Sequence, residues 1–213
     1  MRKLAVLMMM PALVFMVVAM ASAEDNHPGG IHGDYAMSAV GSCLHSYKGF
    51  TGAIPGFTGI PDDVWGGSNM AQAIWTFERN GTGKVEGTNY PTFPPPAPIN
   101  PLPPTQGVGV GKGTFSFDFT YHVTHDGAIT VWVGPLKGTN LVNGVTFETD
   151  CVDAPCLLHG MVSSDHKTMT LASENEYRTY TLFRPDGSQL PFTLYAICNY
   201  GRVLIRVSDR PDE

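Results

Sequence analysis

The feature that most limits this chain is an unbroken alternation between residues 114 and 124. Phe115, Phe117, Phe119, Tyr121 and Val123 are interleaved with Thr114, Ser116, Asp118, Thr120, His122 and Thr124. Successive side chains on a β-strand point to opposite faces, so the segment reads as one long, half-buried antiparallel strand. Its apolar face and its unpaired edges demand further strands around it. Residues 24–213 show no sustained helical period that could supply helices instead.

Turn chemistry extends the pattern. His125-Asp126-Gly127 leads into Ala128–Val133. A two-residue loop would set Val123 opposite Thr130, whereas a three-residue loop with Gly127 in the left-handed conformation sets Val123 opposite Ile129 and Tyr121 opposite Val131. The hydrophobic match selects the longer loop. Upstream, Ala71, Ala73, Trp75 and Phe77 alternate with Gln72, Thr76 and Glu78. A hairpin loop over residues 80–82 then pairs Phe77 with Val85 and Glu78 with Lys84. Further strands are expected at residues 157–163, 167–171, 177–183, 190–198 and 202–207. Ser164-Asp165-His166, Pro185-Asp186-Gly187 and Asn199-Tyr200-Gly201 separate them.

Composition agrees. The chain has 213 residues, 24 Gly, 17 Pro and only 15% charged residues, which suits one β-rich domain and argues against a helical bundle or a charge-driven disordered chain. The expected fold is all-β: an antiparallel up-and-down β-barrel of eight to ten strands over residues 43–213, with a two-sheet β-sandwich as the alternative. Long loops are expected at 49–68 and 91–112. The first holds a near-repeat, Gly49-Phe50-Thr51-Gly52-Ala53-Ile54-Pro55 followed by Gly56-Phe57-Thr58-Gly59-Ile60-Pro61. The second holds eight of the 17 prolines.

Residues 1–23 have the three parts of a secretory signal: Arg2 and Lys3, an apolar run from Leu4 to Met20, and Ala21-Ser22-Ala23. Cleavage after Ala23 would leave a soluble, secreted or periplasmic protein without stable membrane insertion, beginning with a polar, Gly-rich arm at 24–42. A net charge of −6 with no cationic run argues against nucleic-acid binding. Four cysteines in an oxidising compartment make two disulfides, with three possible connectivities. A zinc site is disfavoured by the spacing of Cys151 and Cys156 and by the isolation of Cys43 and Cys198. In an up-and-down barrel the first and last strands are neighbours, so we expect Cys43–Cys198 and Cys151–Cys156.

Two segments carry a resemblance. Gly160-Met161-Val162-Ser163-Ser164-Asp165-His166-Lys167-Thr168-Met169-Thr170-Leu171 and Ile197-Cys198-Asn199-Tyr200-Gly201-Arg202-Val203-Leu204-Ile205 resemble the lipocalin-like barrels of exported bacterial proteins. The resemblance covers roughly the last third of the chain and implies a barrel that holds a small apolar molecule. None of Trp65, Trp75 or Trp132 stands in a Gly-x-Trp motif, so no binding residue is carried over.

Catalytic and cofactor motifs are not found. Gly107–Thr114 lacks the Lys-Ser/Thr step and the following helix of a phosphate loop, and neither Gly-x-Ser-x-Gly nor His-Glu-x-x-His occurs. Asp118 and His122 share a strand face about 13 Å apart at ~3.3 Å per residue, too far to act as a pair. His27 and His32, with Asp25 and Asp34, read as part of a solvated arm, and Asn80-Gly81-Thr82 as a turn. No catalytic residue, metal or cofactor is therefore expected. The function expected is that of an exported carrier holding a hydrophobic or amphipathic molecule. Trp75, Phe115, Phe117, Phe119 and Tyr121 would line its interior, and Phe50 and Phe57 would either cover its mouth or pack on its outer wall. A filled barrel serving as a structural or interaction module of the envelope, and a barrel enzyme of cyclase or isomerase type, are the alternatives.

Overall fold

Every regular element among the described residues is a strand. The computed structural model describes residues 31–53, 56–59, 62–93, 109–140, 146–151 and 156–208. In chain order the strands are β1 (Gly33–Ser46), β2 (Thr51–Ala53), β3 (Gly56–Gly59), β4 (Trp65–Phe77), β5 (Thr82–Phe93), β6 (Gly109–Val110) and β7 (Gly113–Val123). There follow β8 (Ala128–Val133), β9 (Leu136–Asn140), β10 (Thr146–Cys151), β11 (Cys156–Val162), β12 (Thr168–Phe183) and β13 (Gln189–Ser208). Residues 1–23, expected to be a secretory signal, residues 24–30 of the expected arm and most of the Pro-rich loop lie outside the described residues.

Eight strands close a barrel-like ring in the order β1-β4-β5-β7-β8-β11-β12-β13, with β13 returning to β1 and all neighbours antiparallel. Two of its walls are pieced together. β8 and β9 continue one another along β7, separated by Gly134-Pro135, and β10 and β11 continue one another along β12. The Cys151–Cys156 disulfide ties the end of β10 to the start of β11, with Cα atoms 5.6 Å apart. Cys43 and Cys198 face each other across the closing pair β1–β13 and are bonded, with Cα atoms 4.1 Å apart.

Local expectations hold where the turn is set by a single glycine. Gly127 has φ 86°, and Val123 pairs with Ile129 and Tyr121 with Val131. In the β4–β5 hairpin the same rule corrects the register. Its loop is residues 79–81, closed by the Glu78 N–H donating to the Thr82 carbonyl at 2.9 Å, because Gly81 (φ 81°) must occupy the left-handed third position. Trp75 therefore opposes Val85 and Lys84 opposes Thr76, and Lys84 is 3.7 Å from Glu86 rather than across from Glu78.

Longer-range pairing lengthens several elements. Residues 33–42 are not arm but strand: β1 is bonded on both sides, to β4 and β13. Asn199-Tyr200-Gly201 is no turn and lies within β13, since ladders from β1 and β12 hold it extended. Residues 167–171 and 177–183 likewise merge into β12 across an irregularity between Ser173 and Glu176. The expected loops shrink. β4 already begins at Trp65, and β5 runs through Pro91 to Phe93. Pro91 is tolerated because its carbonyl alone is used, accepting from Gly111 N–H at 2.9 Å where the β5–β7 ladder has ended. β9 and β10 were not foreseen.

A packed aromatic core fills one end of the ring. Tyr35, Trp75 and Phe77 are fully buried, and Phe119 lies 4.9 Å from Trp75 and 5.0 Å from Phe77 between ring centroids. Buried polar atoms here are satisfied. Tyr121 Oη donates to the carbonyls of Ile31 and Glu78 at 2.9 and 2.7 Å, Tyr35 Oη to that of His166 at 2.7 Å, and Trp75 Nε1 to Met37 Sδ at 3.1 Å.

Candidate functional site

The inner face changes character along the strands. From β7, Phe119 and Tyr121 point into the sealed core, whereas Phe115 and Phe117, on the same face, are only half-buried. Asn69 on β4, Asn89 on β5, Phe147 on β10, Tyr180 on β12 and Tyr200 on β13 are also half-buried. The interior is thus filled at one end and unfilled toward the other.

One row of paired residues runs through four strands here: Gly87, Phe115, Gly138 and Phe147. Each ring covers the glycine beside it, a placement that a Cβ on either glycine would block. An open groove of about 650 Å³ lies over the backbone of this row on the outer face, among Glu86, Thr114, Ser116, Lys137, Glu148 and Phe183, with Lys137 and Glu148 3.6 Å apart.

Beside Phe147, whose ring centroid is 5.7 Å from that of Tyr180, the inner wall is charged. Arg202 on β13 shares the inward parity of Leu204, and the irregularity between Ser173 and Glu176 turns Glu176 and Arg178 on β12 to the same face, where they pair with Cys198 and Ala196. Arg178 donates from Nε to Glu176 Oε2 at 2.8 Å, and its Nη2 is 2.6 Å from the same oxygen. Arg202 donates from Nη2 to Glu176 Oε1 at 3.2 Å and from Nη1 to Ser173 Oγ at 3.2 Å, with its guanidinium 5.1 Å from the Tyr200 ring centroid. Burial pushes the Glu176 carboxyl up, but the Arg178 and Arg202 guanidinium groups outweigh it and hold the group at about 2. Burial also pushes the Tyr180 and Tyr200 phenols up, so both are neutral donors at physiological pH. Tyr200 Oη accepts from Asn69 Nδ2 at 3.2 Å and donates to the disulfide sulfur of Cys43 at 3.4 Å. The Oδ1 atoms of Asn69 and Asn89 are buried without a hydrogen-bond partner.

The comparison with known proteins is short. The chain matches no family model, no curated protein and no solved structure. What the site can do therefore rests on its own chemistry.

Of the residues expected in a binding interior, Phe115 and Phe117 are half-buried on the inner face, with Phe117 5.5 Å from Trp75. Trp75, Phe119 and Tyr121 are buried in the packed core. Phe50 is buried against Tyr177, with ring centroids 6.0 Å apart. Tyr177 lies between the inward Glu176 and Arg178, so it faces outward, and Phe50 covers the outer wall instead of a mouth. The Phe57 side chain lies outside the described residues. Asp118 and His122 are exposed on the outer face. Asn80 is engaged in its turn, accepting from Thr82 N–H at 3.0 Å. Among the described residues no group of His, Cys, Asp and Glu is arranged to hold a metal.

Sequence reasoning missed Glu176, Arg178 and Arg202. Charged residues alternating along a strand read as a solvent face; parity with Leu204 marks Arg202 as internal, but parity with Leu171 would place Glu176 and Arg178 outside, and only the irregularity between Ser173 and Glu176 turns them inward.

Proposed function

We propose that this is an exported small-ligand binding or carrier protein that holds a hydrophobic or amphipathic molecule in the ring, at the end its core does not fill. The observation that carries the reading is the half-buried inner face at Phe115, Phe117, Phe147, Tyr180 and Tyr200, which the packed aromatic core does not cover. Apolar walls provide most of the binding free energy of such molecules, at about 25 cal/mol per Å² removed from water, while a few polar groups orient them. Two disulfides, and the lack among the described residues of a helix long and apolar enough to cross a membrane, are compatible with export. Native mass spectrometry of the protein purified from its own host tests the proposal. A bound small molecule released on denaturation is the expected result. A bare chain that also fails to take up a fluorescent fatty-acid-like probe would overturn it.

A second reading, a structural or interaction module, is favoured by the outer wall of β13, β1, β4 and β5. There Ile205, Ala36 and Ile74 form one row and Val40, Met70 and Tyr90 another, with Val40 61% and Met70 60% exposed. Sedimentation showing a stable oligomer together with no bound small molecule would favour it.

A further inference from the structure

The outer wall of the ring has two unlike halves. Outward side chains on β5, β7, β9 and β10 include Lys84, Glu86, Asp118, Lys137 and Glu148. On β13, β1 and β4, three successive rows carry no charge. One row is Ile205, Ala36 and Ile74, the next Val203, Ser38 and Gln72, and the third Gly201, Val40 and Met70. Thr168 and Thr170 on β12, opposite Ile205 and Val203, extend the first two rows and are also uncharged. Apolar side chains left in water over several adjacent strands mark a contact surface. The chain carries a net charge of −6, so two copies repel each other least where neither wall is charged. An anionic lipid surface would be repelled as well, and no Lys or Arg stands in these rows to hold it.

The relief of the rows identifies the partner. Along β1 the outward side chains grow from Ala36 through Ser38 to Val40, whereas on β13 they shrink from Ile205 through Val203 to Gly201, which has open space around it. Size thus runs in opposite senses on neighbouring strands. We propose that this wall is the interface of an isologous homodimer. Its two-fold axis lies in the interface and crosses the strands at the row of Ser38, so that each β1 runs antiparallel over the other. Val40 then seats on the partner's Ala36 and Ile205 on the partner's Gly201, each contact occurring twice. Met70, unbranched and adaptable, meets the partner's Ile74. Asp34 falls at the polar rim, already bonded to Thr76 and Ser208. At ~4.8 Å between strands and ~3.3 Å per residue, the face from β12 to β4 and from the Asp34 row to the Ser42 row measures roughly 20 by 30 Å. Two copies would cover on the order of 1,200 Å², the lower end of specific interfaces. The proposal is independent of what the ring holds.

Sedimentation of the purified protein should give twice the monomer mass at micromolar concentration. Val40→Lys, which sets an unpaired cation on the partner's Ala36, should weaken association at least about tenfold with the circular dichroism unchanged. Ser116→Lys, on the charged half of the wall, should leave the dimer intact. Cross-linking checks the axis. Sheets packed face to face lie ~10 Å apart, so the two Ser38 positions should lie about that far from one another and the two Val40 positions about 16 Å. A short bismaleimide should therefore link Ser38→Cys to its own copy and leave Val40→Cys unlinked. If Val40→Lys does not fold, the mass of the unaltered protein and the two cysteine variants decide the matter. A monomeric mass throughout the micromolar range would overturn the proposal, as would a dimer that Val40→Lys leaves intact or equal linking of both cysteine variants. A monomer that floats with phosphatidylcholine vesicles, and fails to do so as Val40→Lys, would assign the wall to lipid and overturn the dimer.

Discussion

Tyr200 lies in the space that a Cβ on Gly41 would occupy. The two residues are directly opposed on β13 and β1, and the Tyr200 ring crosses the bare backbone of β1 so that its hydroxyl reaches Asn69 on β4 at 3.2 Å. A glycine thus lets one inward tyrosine link three strands at the closure of the ring. The same pairing of a glycine with an aromatic ring recurs at Gly83 with Phe119 and at Gly87 with Phe115.

Gly41→Ala should therefore be costly although the substitution adds a single methyl group. The new Cβ would meet the Tyr200 ring and would sit 2.7 Å from the Asn199 carbonyl oxygen, which β1 cannot escape while bonded on both sides. Overpacking of this kind costs about 1–3 kcal/mol. Gly201→Ala, one residue from Tyr200 but with open space around it, should change stability by less than about 0.5 kcal/mol. Urea unfolding of the pair measures the difference, and equal losses would show that the ring closure does not depend on this contact.

Phe119→Asp and Thr120→Asp should differ as inside differs from outside. Phe119 is 3% exposed amid Trp75, Phe77 and Tyr121, so an aspartate there removes an aromatic contact and buries an unpaired carboxylate. The cost is expected to be about 4 kcal/mol or more. Thr120 is exposed on the other face, and its substitution should shift stability by less than about 0.5 kcal/mol. Thermal melts of the two variants give the comparison.

Removal of the two disulfides should be unequal. Cys43–Cys198 closes a loop of 155 residues and Cys151–Cys156 one of five, so chain entropy assigns them roughly 5 and roughly 2 kcal/mol. Cys43→Ala/Cys198→Ala should lower Tm well beyond Cys151→Ala/Cys156→Ala. Non-reducing peptide maps should recover only the two pairs named.

Acid should destabilise the protein in two stages. His45 is buried and stacked on Trp65, with ring centroids 5.5 Å apart, and burial lowers its imidazole from 6.5 to about 4. Between those values the unfolded chain binds a proton that the folded chain refuses. Stability present above pH 6.5 is therefore lost, by about 3 kcal/mol, as pH falls toward 4. Glu176, ionised in the fold down to about 2, extends the loss below its ordinary value of 4.5. Urea midpoints measured from neutral to acidic pH should slope less in His45→Gln over the upper window. An unchanged slope there would remove His45 from the account.

Local signals told of the elements and their faces. The alternation from Phe115 to Val123 and the glycine at 127 are each enough to specify a strand and its turn, because backbone parity and left-handed φ are properties of a few adjacent residues. Cys43 and Cys198 could be paired from topology alone, since a meander of strands brings its ends together. Tertiary structure decided what parity cannot express, namely which face is inside once the ring closes. Ala36, Ser38 and Val40 alternate with Tyr35, Met37 and Ala39 without a polarity contrast, so β1 emerges only from its ladders with β4 and β13. Asn199-Tyr200-Gly201 has the composition of a turn, yet hydrogen bonds to two neighbours outweigh its propensity. Glu176 and Arg202 are 26 residues apart and meet because β12 and β13 pair. Arg202 faces inward with Leu204, which packs into the core, and Glu176 joins it because β12 is irregular between Ser173 and Glu176.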